Sequence, residues 1–471
     1  MGEKTKLKRV LGFPASYGAA VGLVVSGTAM FSVGSVIAAC GKATPLASAI
    51  ALIVVMCAAF AFGELAGMIP GGGMISEYTQ PALGTFWGTF SLLSCYVVLI
   101  ACDGGSQLVM GGIAFESIIG IPQWIITFAL LIGIVLVNIF GVELYGKTES
   151  VITIAMMLIF VILAILGAFG LGESTGVATP VTTNPKADLG VAMANVGPAI
   201  WWFIGFEFAC PMAEENKKPY KNIPYGLILG LISIFVVDNI FAIGANKYAD
   251  LAEMAASSTP HVVAATATLG TVGGIIISLV TVCASFTTGN AYVAALPRMM
   301  YGLARENQVP KCFGKIHPKY RVPMYGIAFT VFLILIVTIW VLFKGDAMIT
   351  TLINTACITW LVTYSIAMID VLVLRKKYPD YPRFWKAPIA KISMPIGILG
   401  AAYSIYTLNS VLIPAIILMV VTALYTIIWN KAHKQPVNEY IPLKIKVQKI
   451  IDTTEPIPVW DDAVKEWLAN N

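Results

Sequence analysis

Charge is scarce in this chain. Of 471 residues, only 12% are Asp, Glu, Lys or Arg, against roughly 25% in a soluble domain. That deficit excludes a soluble enzyme and a disordered chain alike, since both need a polar surface. Histidine is scarcer still. His261, His317 and His433 are far apart and adjoin no cysteine pair, so no metal site is expected. The eight cysteines include no Cys-x-x-Cys spacing, and most lie in apolar runs. They read as small hydrophobes within helices and exclude a disulfide-stapled secreted domain. The glycine-rich stretch after Pro70 lacks the Gly-Lys-Ser/Thr of a phosphate loop, so no ATP site and no cofactor are expected. A cleavable signal peptide is not expected either, because the first apolar run starts near Ser16 and outlasts a signal's length.

What is abundant is apolar sequence, at 58% of residues. A spanning helix needs about 20 apolar residues, so twelve would use roughly half the chain. The runs are uninterrupted, which excludes an outer-membrane barrel with its short alternating strands. Twelve spans are predicted, starting near residues 16, 45, 85, 122, 147, 191, 224, 262, 323, 347, 391 and 410. The eighth runs on to about Gly302, and a tight turn near Asn409 separates the last two. With the N-terminus inside, every Lys and Arg but Lys42, Lys186, Lys247 and Lys344 falls on the cytoplasmic side. Both termini are thus expected in the cytoplasm, with the chain multi-pass in the cytoplasmic membrane and the bilayer as its surroundings. The net charge of +5 reflects this loop bias, and nucleic acid is not expected as a partner. Residues 171–190 read as an external loop. The tail over 431–471, ending Trp460-Asp461-Asp462-Ala463-Val464-Lys465-Glu466-Trp467, reads either as a solvated amphipathic helix or as a regulatory latch.

Two spans carry interruptions near their centres. The first has Ser26-Gly27-Thr28, and the sixth has Ile204-Gly205-Phe206-Glu207. They occupy equivalent places in two five-helix halves, and such paired interruptions point to a transport site. A broken helix frees N–H groups on one half, which suit a carboxylate. It frees carbonyls on the other, which suit an ammonium. Small-residue helix packing is the plainer account of Ser26-Gly27-Thr28. Intramembrane acids are rare and face cavities or partners. Glu207 follows the second break. Asp103 sits mid-span in Cys102-Asp103-Gly104-Gly105-Ser106, as a binding group or as a buried acid paired with Ser106 or a neighbouring span. Asp238 is a third such acid, expected to make a helix–helix hydrogen bond. Glu64 is expected to pair with groups such as Arg298. Arg305, Glu214 and Glu215 are expected to form an inner gate network.

Four blocks, in order on this topology, carry a resemblance. They are Ser26-Gly27-Thr28; Gly63-Glu64-Leu65 with Pro70, Gly73, Tyr78 and Gly84; Trp201-x-Phe203-Ile204-Gly205-x-Glu207 with Ala213-Glu214-Glu215-Asn216 and Asn222-Ile223-Pro224; and Arg298, Tyr301, Arg305, Val309-Pro310, His317-Pro318 and Val322-Pro323. The chain resembles the amino acid–polyamine–organocation transporters over nearly all its spanning length. The resemblance implies an all-α fold of about twelve transmembrane helices. Its core is a five-plus-five inverted repeat of the LeuT type, with spans one and six unwound at mid-membrane and two peripheral helices added. The expected division is 1–15 N-terminus, 16–375 core, 376–430 peripheral helices and 431–471 tail.

The resemblance also implies a secondary transporter working by alternating access on an amino acid or small organic amine, and no enzyme. Ser26, Gly27 and Thr28 would meet the substrate carboxylate, and Ile204 and Gly205 its amine. Trp201 and Tyr292 match aromatic site positions of the arginine/agmatine exchangers. Asp103 falls where those relatives have a neutral Asn, which tilts the expectation toward a cationic substrate. Glu207 is tied in some members to proton sensing and in others to polyamine recognition. A plain structural hub is the alternative for it. Met74 and Ser76 stand where the family often has Gly and Tyr. Met156 stands where many proton-coupled members have Lys, which counts against lysine-based coupling. Exchange or proton-linked transport is expected, with a proton as the coupling partner in the second case. Ser285, Thr287 and Thr288 in span eight could contribute to the fold's second sodium site, but such hydroxyls also bond their own helix. The heavy-chain partner of some relatives needs a cysteine between spans three and four. Cys40 is not there, so no such partner is expected. A neutral amino acid permease is the alternative, and a non-transporting nutrient sensor on the same scaffold is a further one.

Overall fold

The computed structural model describes residues 9–140, 142–170, 188–318, 320 and 322–470. Most of the expected external loop, residues 171–187 with Lys186, and residues 1–8 with Lys4, Lys6 and Lys8 lie outside the described residues. Nineteen α-helices follow in order: α1 Phe13–Gly22, α2 Gly27–Cys40, α3 Thr44–Met68, α4 Ile75–Ala82, α5 Thr85–Leu92, α6 Val98–Ile119, α7 Gln123–Phe140, α8 Val142–Phe169, α9 Leu189–Ala194, α10 Val196–Ile200, α11 Pro219–Tyr248, α12 Leu251–Ala256, α13 Pro260–Arg305, α14 Met324–Lys344, α15 Ala347–Lys377, α16 Ala390–Thr407, α17 Leu412–Ala432, α18 Leu443–Thr453 and α19 Pro458–Asn470. All twelve expected spans have their helices. Among the described residues, nine stretches are long and apolar enough to cross a membrane, and one of these, Gly27–Met68, holds parts of two spans. The shorter Gln123–Ile139 and α16 complete the set.

Local chemistry sets the boundaries. Pro45, Pro219 and Pro260 sit in the first turns of α3, α11 and α13, where their missing N–H costs no helix bond. Gly120, at φ +75°, closes α6. The core forms where α13 packs on α6, and where α3 and α1 pack on α11. Outward faces stay apolar: Phe343, Ile413 and Leu399 are at least 70% exposed. In water such a belt is a liability, whereas against lipid tails it is the ordinary surface.

Glu64 departs from expectation. Its partners are Arg375, which donates from Nε and Nη2 at 2.9 and 2.6 Å, and Arg383, with its Nε 3.2 Å away. The Ala387 N–H adds a bond at 2.8 Å. Arg298 is not among the partners. The sequence signal was there in the basic run that ends α15, but the fold brings the Arg383 loop back under α3, and no local spacing shows that.

The tail also departs from a solvated helix. Leu443, Val447, Trp460 and Val464 are buried, and Trp460 Nε1 donates to the Gly67 carbonyl at 3.1 Å. Lys446 Nζ lies 2.6 Å from Glu306 Oε1. Burial works against the Glu306 charge, but Lys446, Gln80 and Lys449 outweigh it and hold its pKa below the usual range. That contribution to docking is full above the ordinary Glu pKa and is lost as pH falls through the lowered value. Arg9 and the tail lie at one end of the bundle, beside Ala213 and Asn216.

Candidate functional site

Both interrupted spans are broken, in different ways. In the first, helical geometry stops after Gly22 and resumes at Gly27. Ser26 is extended (φ −115°, ψ 161°), and its Oγ caps the second half by accepting from the Ala29 N–H at 3.0 Å. The break therefore lies over Leu23–Ser26, slightly before the Ser26-Gly27-Thr28 motif, which forms the start of the new helix. In the sixth, α10 and one tight turn over Trp201–Phe203 end at an extended Ile204. Gly205 follows at φ +106°, and a 3-10 helix runs over Phe206–Glu215. A side chain at Gly205 would be strained and would run into Leu23 of the other break. A side chain at Gly27 would meet Ser285 and Gln107. Gly205 therefore meets the first break directly at Leu23, whereas Gly27 packs against α13 and α6.

Asp103 stands at the centre of a closed hydrogen-bond network. Oδ1 accepts from Thr28 Oγ1 at 2.8 Å, and Oδ2 accepts from Tyr292 Oη at 2.7 Å and Gln107 Nε2 at 2.9 Å. Thr28 is fully used: its hydroxyl donates to Asp103 and accepts from Gln107 Nε2 at 2.7 Å and Trp201 Nε1 at 3.2 Å. Gln107 Oε1 in turn accepts from the Thr28 N–H at 3.1 Å. One side-chain group thus binds α2, α6, α13 and the sixth span together. Every donor to Asp103 is neutral. Among the described residues, no Lys, Arg or His lies within 4.0 Å of its carboxylate. A carboxylate has about four lone-pair directions, so one remains, on Oδ1.

Glu207 is held similarly. Oε1 accepts from Trp360 Nε1 at 2.6 Å and Tyr96 Oη at 3.2 Å, and Oε2 accepts from Tyr364 Oη at 2.6 Å. It too has no cationic partner among the described residues. Between the two acids runs an aromatic wall. Trp201 meets Trp360 edge-on at 6.3 Å, and Phe208 lies 6.1 Å from Tyr292 and 6.3 Å from Trp360. All nine residues named from the sequence (Ser26, Gly27, Thr28, Asp103, Trp201, Ile204, Gly205, Glu207 and Tyr292) are buried. The arrangement is a buried cluster with an acid at each end and indole and phenol rings between.

The amino acid permease family model matches residues 11–431. The chain belongs to the amino acid permease family. It is 26% identical over 400 residues to a glutamate/serine transporter of Bacillus subtilis, covering 78% of this chain and 71% of that protein. It is 24% identical to a serine/threonine exchanger of the same organism, covering 87% and 93%. It is also 24% identical to a low-affinity putrescine importer of Escherichia coli, covering 84% and 88%. This permease is accordingly a multi-pass membrane transporter and no enzyme, and its broken-helix core is the family's inverted repeat.

Sequence reasoning missed four partners in the permease's buried cluster. Gln107 lies one helical turn after Asp103, on the same face of α6, and that spacing was a legible signal. Trp360 and Tyr364 are likewise one turn apart on α15. Tyr96 gave no signal, because it sits where the third span winds one wider turn over Leu93–Val97. Three other expectations are corrected. Ser106 donates to the Cys102 carbonyl and leaves Asp103 alone. Among the described residues, Asp238 makes no hydrogen bond, and Arg305 makes no ion pair with Glu214 or Glu215. Arg305 lies over the Tyr301 ring, and Glu214 accepts from the Gly72 N–H at 2.8 Å. Thr287 donates to the Ala284 carbonyl, whereas the buried hydroxyls of Ser285 and Thr288 have no partner.

Because the Ser26 hydroxyl is occupied as a helix cap, Ser26→Ala is expected to act on stability. The loss should be about 1 kcal/mol, seen as a lower unfolding temperature in detergent. Relative affinities for different substrates should hold. A changed substrate preference at unchanged stability would show that the hydroxyl contacts cargo instead.

Proposed function

We propose that this permease moves a small organic amine or cationic amino acid across the cytoplasmic membrane, with both termini in the cytoplasm. The observation that carries the substrate class is Asp103, a buried carboxylate met by three neutral donors and no cation. An ammonium group on the substrate supplies the missing positive charge at the free Oδ1 direction. The neighbouring rings of Trp201 and Tyr292 add about 0.5–2 kcal/mol through cation–π attraction. Glu207 and its three donors receive a second cationic group where the substrate has one, as in a diamine. Where the substrate has a carboxylate, the start of α2 at Gly27 faces it with the positive end of a half-helix. Ile204 and Gly205 offer backbone carbonyls to an amine. The similarity to a putrescine importer supports the amine class.

Transport proceeds by alternating access about the two breaks, as exchange or with a coupled proton. Neutral amino acids are the second reading, favoured by the half-helix start at Gly27 and by the serine carriers among the relatives. No heavy-chain partner is needed.

Counterflow in proteoliposomes tests the assignment. Vesicles are loaded in turn with neutral amino acids, cationic amino acids and diamines, each with the matching labelled compound outside and no ion gradients. Accumulation of cationic amines is expected. Accumulation of neutral amino acids alone would sink the assignment and leave Asp103 a structural group.

A further inference from the structure

The tail makes its strongest contacts with the parts of the molecule that alternating access must move. Arg9, just before α1, uses its backbone and its guanidinium at once. Its N–H donates to Glu455 Oε2 at 2.9 Å and its Nε to the Glu455 carbonyl at 2.7 Å. Nη2 donates to Thr454 Oγ1 at 2.9 Å, and Nη1 to the carbonyls of Ala213 and Asn216 at 2.8 and 3.0 Å. One side chain therefore ties the α18–α19 turn to the lead-in of α1 and to the end of the Phe206–Glu215 helix. These are the same-side halves of the two broken spans. The Leu11 N–H donates to the Glu215 carbonyl and the Lys217 N–H to the Leu11 carbonyl, at 3.0 and 2.9 Å, which draws those halves together.

The rest of the tail spreads over neighbouring elements. Asn438 accepts from the Phe86 N–H and donates to the Leu83 carbonyl, at 3.0 and 2.9 Å. Lys446 and Lys449 approach Glu306, just past the end of α13, at 2.6 and 3.4 Å. Gln80 on α4 donates to the other Glu306 oxygen at 2.7 Å. Trp460 is fully buried against α3, and the Trp467 ring meets Tyr381 edge-on at 5.0 Å.

We propose that residues 438–467 are a latch, docked here across the ends of both broken spans, that must release before the cytoplasmic side opens. The latch rests on the orientation and alternating access proposed above. Its occupant is this chain's own tail, and its catches are Arg9 on one side and Glu306 on the other. A helix that merely covered the surface would need neither a half-buried arginine shared by three segments nor paired lysines on a half-buried acid. While docked, the tail holds α1, the Phe206–Glu215 helix and the end of α13 as one body. Those helices cannot separate without breaking charge-assisted hydrogen bonds.

The test uses the full chain without substrate. Lys446→Glu with Lys449→Glu sets the tail against Glu306, and adding Glu306→Lys restores attraction. Trp460→Ala loosens the tail at a separate contact. Trypsin cleavage after Lys444 or Lys465, sites that every variant keeps, reports release of the tail. Maleimide labelling, read by peptide mass, compares Cys210 with Cys40. Cys210 is buried in the Phe206–Glu215 helix, and Cys40 is buried at the far end of α2. Release should speed Cys210 labelling at least about tenfold, the factor set by loss of one charge-assisted hydrogen bond. Cys40 should not change, the restoring variant should reverse the effect, and Trp460→Ala should shift Cys210 the same way. Faster cleavage with unchanged Cys210 would overturn the latch, as would equal acceleration at Cys40 or no change in cleavage at all. Because no substrate is used, a wrong substrate class in counterflow would leave this result standing.

Discussion

Asp103→Asn is expected to weaken binding of cationic amines by roughly 30-fold to several thousand-fold, the usual 2–5 kcal/mol for removing one partner of a buried charge pair. Neutral amino acids should lose much less. The substitution is nearly isosteric, but the network leaves no room for a donor at this position. Tyr292 and Gln107 both give protons to Oδ2, and Thr28 gives its only hydroxyl proton to Oδ1. Turning the Asn amide either way aims N–H groups at existing donors. On the Thr28 side, the hydroxyl's lone pairs are already taken by Gln107 and Trp201. The variant therefore loses charge and acceptor capacity together. Stability cannot serve as the readout alone, since an unsatisfied buried group itself costs about 1–3 kcal/mol. The decisive measurement is the ratio of affinities for a diamine and for a neutral amino acid, taken by binding in detergent. A fall in both by one factor would make Asp103 a brace of the cluster. A fall confined to the cation makes it the recognition group.

The fold was legible because its signals are local. Most apolar runs reach the length that a bilayer needs, the loops carry the Lys and Arg, and proline and glycine mark helix ends. The site was legible where the backbone itself is chemically marked. Gly205 lies in the left-handed region, and Ser26 is a helix cap, so their residue types betray the breaks. Asp103 and Glu207 stood out because acids are rare in apolar runs. What remained hidden was long-range. Glu64 chose Arg375 and Arg383 over Arg298 because a loop after α15 folds back beneath α3. The Glu207 donors come from the third and tenth spans, and no spacing within either announces a partner in the sixth. The tail's amphipathic pattern was readable. Whether its apolar face met water, lipid or protein depends on Gly67, Glu306 and Arg9, which are 140 to 446 residues away.

Gly205→Ala is expected to cut transport by about 30-fold or more and to do so without touching either acid. Two costs act together. Right-handed preference makes the positive φ cost a non-glycine residue about 1–2 kcal/mol. A methyl at this point also runs into the Leu23 side chain, and overpacking of that kind costs about 1–3 kcal/mol. Both penalties fall on the arrangement in which the two breaks face each other, because Gly205 belongs to one break and Leu23 to the other. They can be separated. Adding Leu23→Ala removes the collision and leaves the dihedral strain, so the double variant should recover part of the loss. The non-additivity measures the contact between the breaks. Exchange rates in proteoliposomes, set beside unfolding temperatures for the four proteins of the cycle, provide the measurement. Full additivity would mean that the breaks move independently. A recovery confined to the unfolding temperature would mean that their contact only stabilises the fold. Recovery of rate along with stability is the expected outcome, because Gly205 and Leu23 are where the two breaks touch.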